Sequence, residues 1–403
     1  MNKKLSAIIM LYANLQYSEI PDAKIPALID RSYQKVFDLI SKRKKTKILL
    51  AISGYSLETL NKVNQKVLKQ LKNLVKQKKI IIVGGTYSNP VLPLLPKDSR
   101  LRQIKKHKFL VKKYLNTRPV GFCPPEFGWT PLLSSDLKKV GYLWSIIPHH
   151  LIHFSKTLNE LAMTKPKRRK YSAELAAKLL EKSWIRRLLY LPVIGWLFNQ
   201  ELSVINHSPF YISGTQSNIV GIPNIRTWSG YVLAALNDNY LQNPMKLKSH
   251  LRDQVKRGRG FFIPFLGDIE NIEYGGNSPI VISIQNFAKF LDIFESAGFK
   301  IEAPQDYLRR EKPKNLIYIK SGSGDPTGSF DMWTREPDNF VLEKICTEIR
   351  QKLEKTKNAK VRKKAENYLM LAENADGRAW NPLPERRLAC FKAAEKALEI
   401  LEK

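Results

Sequence analysis

Short apolar runs alternate with longer amphipathic, lysine-rich segments through the first 150 residues. Runs at 6–11, 47–52, 80–83, 120–122 and 142–147 are short enough, and apolar enough, to read as buried strands. Between them, 25–42, 57–78, 94–116 and 130–140 repeat apolar positions at helical spacing. Alternation of this kind predicts an α/β fold, a parallel sheet covered by helices. Right-handed crossovers keep the strand C-termini on one side, so the loops after residues 11, 52, 83, 122 and 147 should converge on one rim.

The texture changes at 155–200, where a basic patch (165–170), a helical stretch (172–189) and the most apolar run of the chain (188–198) follow one another. This reads as an insertion between barrel units. The apolar run falls short of the roughly twenty residues of a spanning helix and contains Pro192 and Gly195, which favours a lid, a core segment or a membrane-surface contact over a span. Strand and helix patterns resume at 227–241 (helix), 260–265 (strand), 284–297 (helix) and 300–302 (strand), then fade after Pro304. A Gly/Ser/Asp/Pro loop at 321–329 leads to three helical stretches, 339–355, 359–373 and 384–402. Two domains are predicted, 1–311 and a helical 312–403.

Composition narrows the class. The 403 residues are 43% hydrophobic, enough for a large core, and 68 Lys and Arg against 36 Asp and Glu leave a formal charge of +32. Such a charge suits an anionic polymer or a membrane surface, but the lysines fall on the polar sides of helical segments and no nucleic-acid motif accompanies them. Solvated helix faces are the simpler reading. Cys123, Cys346 and Cys390 are isolated, which excludes a disulfide framework and a Cys-based zinc site, and fits a reducing, cytoplasmic location. The apolar start is too short for a signal peptide and lacks a small-residue cleavage site.

The candidate chemistry sits just past predicted strands. In Gly121-Phe-Cys-Pro-Pro-Glu-Phe-Gly-Trp129, two prolines fix the backbone before Glu126 and Gly128 permits an immediate turn, which either aims a carboxylate or leaves a Glu on a Pro-rich turn facing water. Asp268 and Glu270 follow the apolar run 261–266; if the chain stays extended, both point to one face. Two carboxylates facing across a groove at about 5 to 5.5 Å serve retaining glycoside hydrolysis. The alternative is that Asp268 caps the next element and Glu270 pairs with a lysine. Tyr87, Trp129, Trp228 and Trp380 lie beside polar or Pro/Gly residues, as sugar-stacking platforms or as core. The glycine-rich loop 84–90 lacks the Lys-Ser/Thr of a phosphate cradle. His149, His150 and His153 cluster without a nearby Asp pair, so no metal or other cofactor is expected. No Gly-x-Ser-x-Gly elbow is present.

Several stretches together resemble glycoside hydrolase family 57: Asn14-Leu-Gln-Tyr-Ser-Glu-Ile-Pro21, the segment 83–96, Pro125-Glu-Phe-Gly-Trp129, Gly267-Asp-Ile-Glu270 and the segment 372–387. The resemblance implies an incomplete (β/α)7 barrel with a C-terminal helical bundle against its catalytic rim. It also implies a retaining amylase, glucanotransferase or branching enzyme acting on α-glucans without a metal. Carried over by position, Glu126 is the nucleophile and Asp268 the acid/base; Tyr12, Asn14, Gln16, Tyr87, Trp129, Trp228, Glu270 and Trp380 are the candidate substrate contacts. Three positions depart from the family pattern: Tyr12 and Asn89 stand where histidines are usual, and Ile81 where a glutamate is usual. These losses leave open an altered substrate, or a weakened member that binds carbohydrate or a protein partner without efficient turnover.

Overall fold

A computed structural model describes residues 5–16, 20–152, 155, 208–213, 219–224, 226–236, 244–257, 260–275, 281–325, 327–379 and 382–403. The basic patch, the helical stretch 172–189 and the apolar run 188–198 lie outside the described residues. Twelve strands are described: β1 (Ser6–Ala7), β2 (Ile9–Ala13), β3 (Ile48–Ile52), β4 (Ile80–Val83), β5 (Gly121–Phe122), β6 (Trp144–Pro148), β7 (Phe210–Ser213), β8 (Val220–Asn224), β9 (Phe261–Phe262), β10 (Leu266–Asp268), β11 (Lys300–Ile301) and β12 (Leu316–Tyr318). Parallel ladders run β10-β2-β3-β4 and β5-β6-β8, and the parallel bridge Gly84 to Phe122 joins the two. β1 and β9 extend the β2 and β10 positions by parallel pairing. Seven strand positions therefore surround one axis, and β8 meets β9 by packing rather than by a ladder among the described residues. This is the incomplete (β/α)7 barrel.

Side-chain alternation shows why the sheet closes. Ile8, Met10, Leu49, Ala51, Val83, Cys123, Trp144, Ile146, Val220, Ile222, Phe261 and Ile263 form one buried cluster, with every strand position contributing. Their neighbours Ile9, Leu11, Ile48, Leu50, Ile52 and Ile82 point the other way and pack under the helices. Gly121 is required here, because a Cβ would come within 1.9 Å of the Trp144 indole. On the covering helix Gln65–Lys76, Val67, Leu68, Leu71 and Leu74 are buried while Lys66, Lys69, Lys72 and Lys76 are exposed. Among the described residues, no helix is long and apolar enough to cross a membrane.

Three expectations change. The helix expected over 57–78 is two helices, Gly54–Val63 and Gln65–Lys76, because Asn64 leaves helical geometry and its Oδ1 accepts from Val67 N at 3.2 Å, capping the second. The sheet does not end at residue 302: β12 pairs in parallel with β7, so chain beyond Lys312 still belongs to the sheet. The helix expected over 227–241 is described as Arg226–Leu236, and a further helix, Pro244–Arg257, follows.

Helices Pro337–Lys355, Ala359–Ala372 and Pro384–Glu402 pack around Leu342, Cys346, Leu369, Cys390 and Ala394. They are strapped to the barrel through the turn after β4. Ser88 Oγ donates to the Met370 carbonyl, Gln103 Nε2 donates to the same carbonyl at 3.0 Å, and Asn374 Nδ2 donates to Ser88 O at 2.6 Å. Arg386 adds an ion pair to Asp22 at 2.5 Å. The glycine-rich loop 84–90 thus docks the bundle.

Candidate active site

Glu126 is aimed by its backbone. After β5 the two prolines lead into a short turn, Pro125–Phe127, in which Glu126 (φ 51°, ψ 20°) and Phe127 (φ 50°) are both left-handed. Residues with a Cβ avoid that region, at a cost of about 1–2 kcal/mol each. Gly128, expected to supply the turn, has φ −61°, and a Cβ there would meet the Pro93 ring at 3.0 Å. The strained pair is held from outside. Gly324 N donates to Glu126 O at 2.7 Å, and Trp129 and Gly322 exchange backbone hydrogen bonds of 2.7 and 3.0 Å. His150 Nε2 lies 2.9 Å from Ser323 O, fixing the same loop. The Gly/Ser loop at 321–329 is therefore the clamp that sets the Glu126 conformation.

Asp268 reaches the same rim by strand register. β10 pairs Asp268 with Tyr12 of β2, and both stand two residues beyond side chains that pack against the barrel interior, Leu266 and Met10. A cavity of about 540 Å³ opens there, lined by Glu126 and Asp268 together with Tyr12, Asn14, Asn89, Asn224, Asp325, Trp333 and Asp376 among others. Among its described residues the wall holds four carboxylates, Glu126, Asp268, Asp325 and Asp376, and no Lys, Arg or His. In a chain of net charge +32, this concentrates negative potential at one place.

One side of the wall is hydrogen-bonded within itself. Tyr12 OH donates to Asn89 Oδ1, Asn89 Nδ2 donates to Asp376 Oδ2 at 3.2 Å, and Asn14 Nδ2 donates to the same oxygen at 2.7 Å. Burial, reinforced by the nearby carboxylates of Glu126, Asp376 and Asp268, holds the Tyr12 phenol well above its usual range, so it remains a donor. Two of the three family departures, Tyr12 and Asn89, thus bond to each other. The third, Ile81, packs against the interior cluster.

The structure gathers Tyr12, Asn14, Glu126 and Asp268 into the wall and places the other candidates elsewhere. Trp129 and Trp228 are fully buried, Trp228 edge-on to Phe262 at 5.3 Å, so neither offers a face for sugar stacking. Tyr87 lies under the Lys106 ammonium, 3.3 Å from its ring centroid, and Gln16 lies outside the wall. Trp380 and His153 fall outside the described residues. Glu270 does not share a face with Asp268. The chain turns at Ile269–Asn271, and Glu270 Oε1 accepts from Asn14 N at 2.7 Å and from Tyr33 OH inside the core. Sequence reasoning missed Asp376, Asn224, Asp325 and Trp333. Asp376 had a signal, because it lies within the 372–387 stretch that carries the resemblance. Among the described residues, no group of three or more His, Cys, Asp or Glu is placed to hold a metal ion.

Two buried groups near the rim set a pH dependence. Burial first, and Asp268 second, push the Glu270 carboxyl up to about 8 from an ordinary 4.5. Between those values the folded chain keeps a proton that the unfolded chain releases, so stability falls as pH rises. His107 behaves oppositely. Its Nδ1 accepts from Gly85 N at 3.3 Å and its Nε2 lies 2.9 Å from Ile52 O, and burial lowers it to about 4 from 6.5. There the unfolded chain binds the extra proton, and stability is lost as pH falls. The two oppose each other between about pH 4.5 and 6.5, leaving Glu270 alone above that window. Calorimetric melting of Glu270→Gln should remove the decline between pH 7 and 9 and exceed the parent at pH 9.

The model of the glycosyl hydrolase family 57 matches residues 9–180, which include Glu126 but stop short of Asp268. Alpha-amylase 1 of Dictyoglomus thermophilum is 27% identical over 127 residues, 31% of this chain and 18% of that protein. The 4-alpha-glucanotransferase of Thermococcus litoralis is 28% identical over 125 residues, with the same shares. The chain thus matches less than a fifth of the length of these relatives. Among solved structures, that glucanotransferase superimposes with a TM-score of 0.68 at 17% identity, covering 98% of this chain and 60% of that one. The alpha-amylase AmyC of Thermotoga maritima gives 0.67 at 11% identity, covering 99% and 93%. Over residues 9–180, which include Glu126, the chain is thus similar to glycosyl hydrolase family 57, and its barrel and bundle share the fold of these solved structures.

Proposed function

We propose that the protein is a retaining glycoside hydrolase or transglycosylase acting on α-glucans, with Glu126 as nucleophile and Asp268 as acid/base. The observation that carries this reading is the pair of half-buried carboxylates, delivered by two distant strands to one sugar-sized cavity, one of them from a strained backbone. In the first step a Glu126 oxygen attacks the anomeric carbon; the glycosidic bond breaks, and its oxygen leaves with the proton of Asp268. In the second, Asp268 takes a proton from water or from a sugar hydroxyl, whose oxygen displaces Glu126 and restores the starting configuration. Whether water or sugar arrives first separates hydrolysis from transfer. The names of the similar proteins, alpha-amylase and 4-alpha-glucanotransferase, support an α-glucan as the substrate.

Proton NMR of maltoheptaose digests tests this. The first product released should carry the α-anomeric signal before mutarotation, and β-product would remove Glu126 from its role. A second reading is a glucan-binding protein with weak turnover. It is favoured by the Tyr12–Asn89 bond, which engages two polar groups with each other rather than with a ligand. If Asp268→Asn abolishes measurable turnover, that second reading fails.

A further inference from the structure

Asn224 ends β8 two residues beyond Ile222, which fills the barrel interior, so alternation carries its side chain into the cavity wall. It is 1% exposed, yet among the described residues neither Oδ1 nor Nδ2 has a hydrogen-bond partner. A buried primary amide with its donors and acceptor unused is costly, and in a native structure it calls for a ligand or ordered water. The contrast with the other side is direct, since Tyr12, Asn89, Asn14 and Asp376 are bonded among themselves. Trp333, also in the wall and 3% exposed, likewise has an indole Nε1 without a partner.

Position around the rim gives the amide a task. Strand order runs from β5, which leads into Glu126, through β6 to β8, and β8 packs beside the strand that continues to Asp268. Asn224 therefore stands between the two acids, on the side opposite the saturated network. The ligand that fits must accept from Nδ2 and donate to Oδ1 at once. An anion is opposed by four carboxylates and offers no donor, a cation offers no acceptor, and an apolar group offers neither. Neighbouring hydroxyls of a sugar ring offer both, since each donates and accepts.

Resting on the glucan reading above, we infer that Asn224 is a specificity-determining contact that holds a pair of adjacent hydroxyls of the reacting sugar between Glu126 and Asp268. The test uses the full chain carrying Glu126→Gln, so that turnover does not consume the ligand, with maltopentaose as the probe. Titration calorimetry gives Kd and thermal melting gives stability for Asn224→Leu and Asn224→Ala in that background. Loss of two neutral hydrogen bonds raises Kd by about ten- to hundredfold in both variants. Their melting temperatures do not fall, because the amide has no internal partner to lose. Unchanged Kd overturns the inference, and so does a melting temperature lowered in both variants, which would show a structural role. If the Glu126→Gln parent itself binds no maltopentaose, the glucan reading fails, and the melting comparison still decides whether the amide is internally unpartnered.

Discussion

Glu126→Gln should lower turnover of maltooligosaccharides by on the order of 10⁴-fold, about 5.5 kcal/mol of transition-state stabilisation, with melting temperature unchanged or raised. The amide has the shape of the carboxylate but is no nucleophile towards an anomeric carbon. The left-handed backbone is fixed by Gly324 N and the Trp129–Gly322 pair, none of which involves the Glu126 side chain, so the substitution does not release it. Removing one of four carboxylates from a single cavity also relieves repulsion, which favours the fold. Asp268→Asn should produce a comparable loss on natural linkages, but a much smaller one on a maltosyl fluoride, whose leaving group departs without a proton. Glu126→Gln gains nothing from that substrate. Initial rates on both substrates separate the two roles, and a fluoride that rescues both variants equally would dissolve the assignment.

The barrel was legible because its strands are short apolar runs between amphipathic helices, and residues 80–83 are seen as a strand with the same bounds. What escaped was what depends on pairing across the chain. β12 is a short apolar run, but Leu316 and Tyr318 are exposed, and its place in the sheet rests on β7, which lies far earlier in the chain. Glu270 illustrates a second limit. Alternation placed it with Asp268 because an extended chain was assumed, whereas the turn at Ile269–Asn271 sends it towards Asn14 and Tyr33. Spacing likewise located the Glu126 turn but assigned its unusual geometry to Gly128. The strain falls on Glu126 and Phe127, stabilised by a loop some 200 residues away that looked like a linker. The aromatic candidates failed for a simpler reason: neighbouring polar residues do not determine burial, and Trp129 and Trp228 lie in the core.

The joint between barrel and bundle carries the second large effect. Asp376→Ala should cost on the order of 2–4 kcal/mol of stability and reduce turnover by about ten- to hundredfold. Asp376 Oδ2 accepts from Asn14 at the end of β2 and from Asn89 after β4, so one bundle residue secures two rim segments at once. Truncation leaves both amides buried without that acceptor, at about 1–3 kcal/mol each, and relief of repulsion from Glu126 and Asp268 offsets only part of this. Asn89 also receives the Tyr12 hydroxyl, so its movement opens the saturated side of the cavity and loosens Tyr12 beside Asp268. Lys396→Ala, which breaks an exposed ion pair with Glu399, is the matched control and should shift stability by less than about 0.5 kcal/mol. Chemical denaturation measures both variants against the parent. An Asp376→Ala protein that unfolds at the parent's midpoint while losing activity would make Asp376 a ligand contact alone, and the bundle would then be held by the Ser88, Gln103 and Asn374 bonds without it.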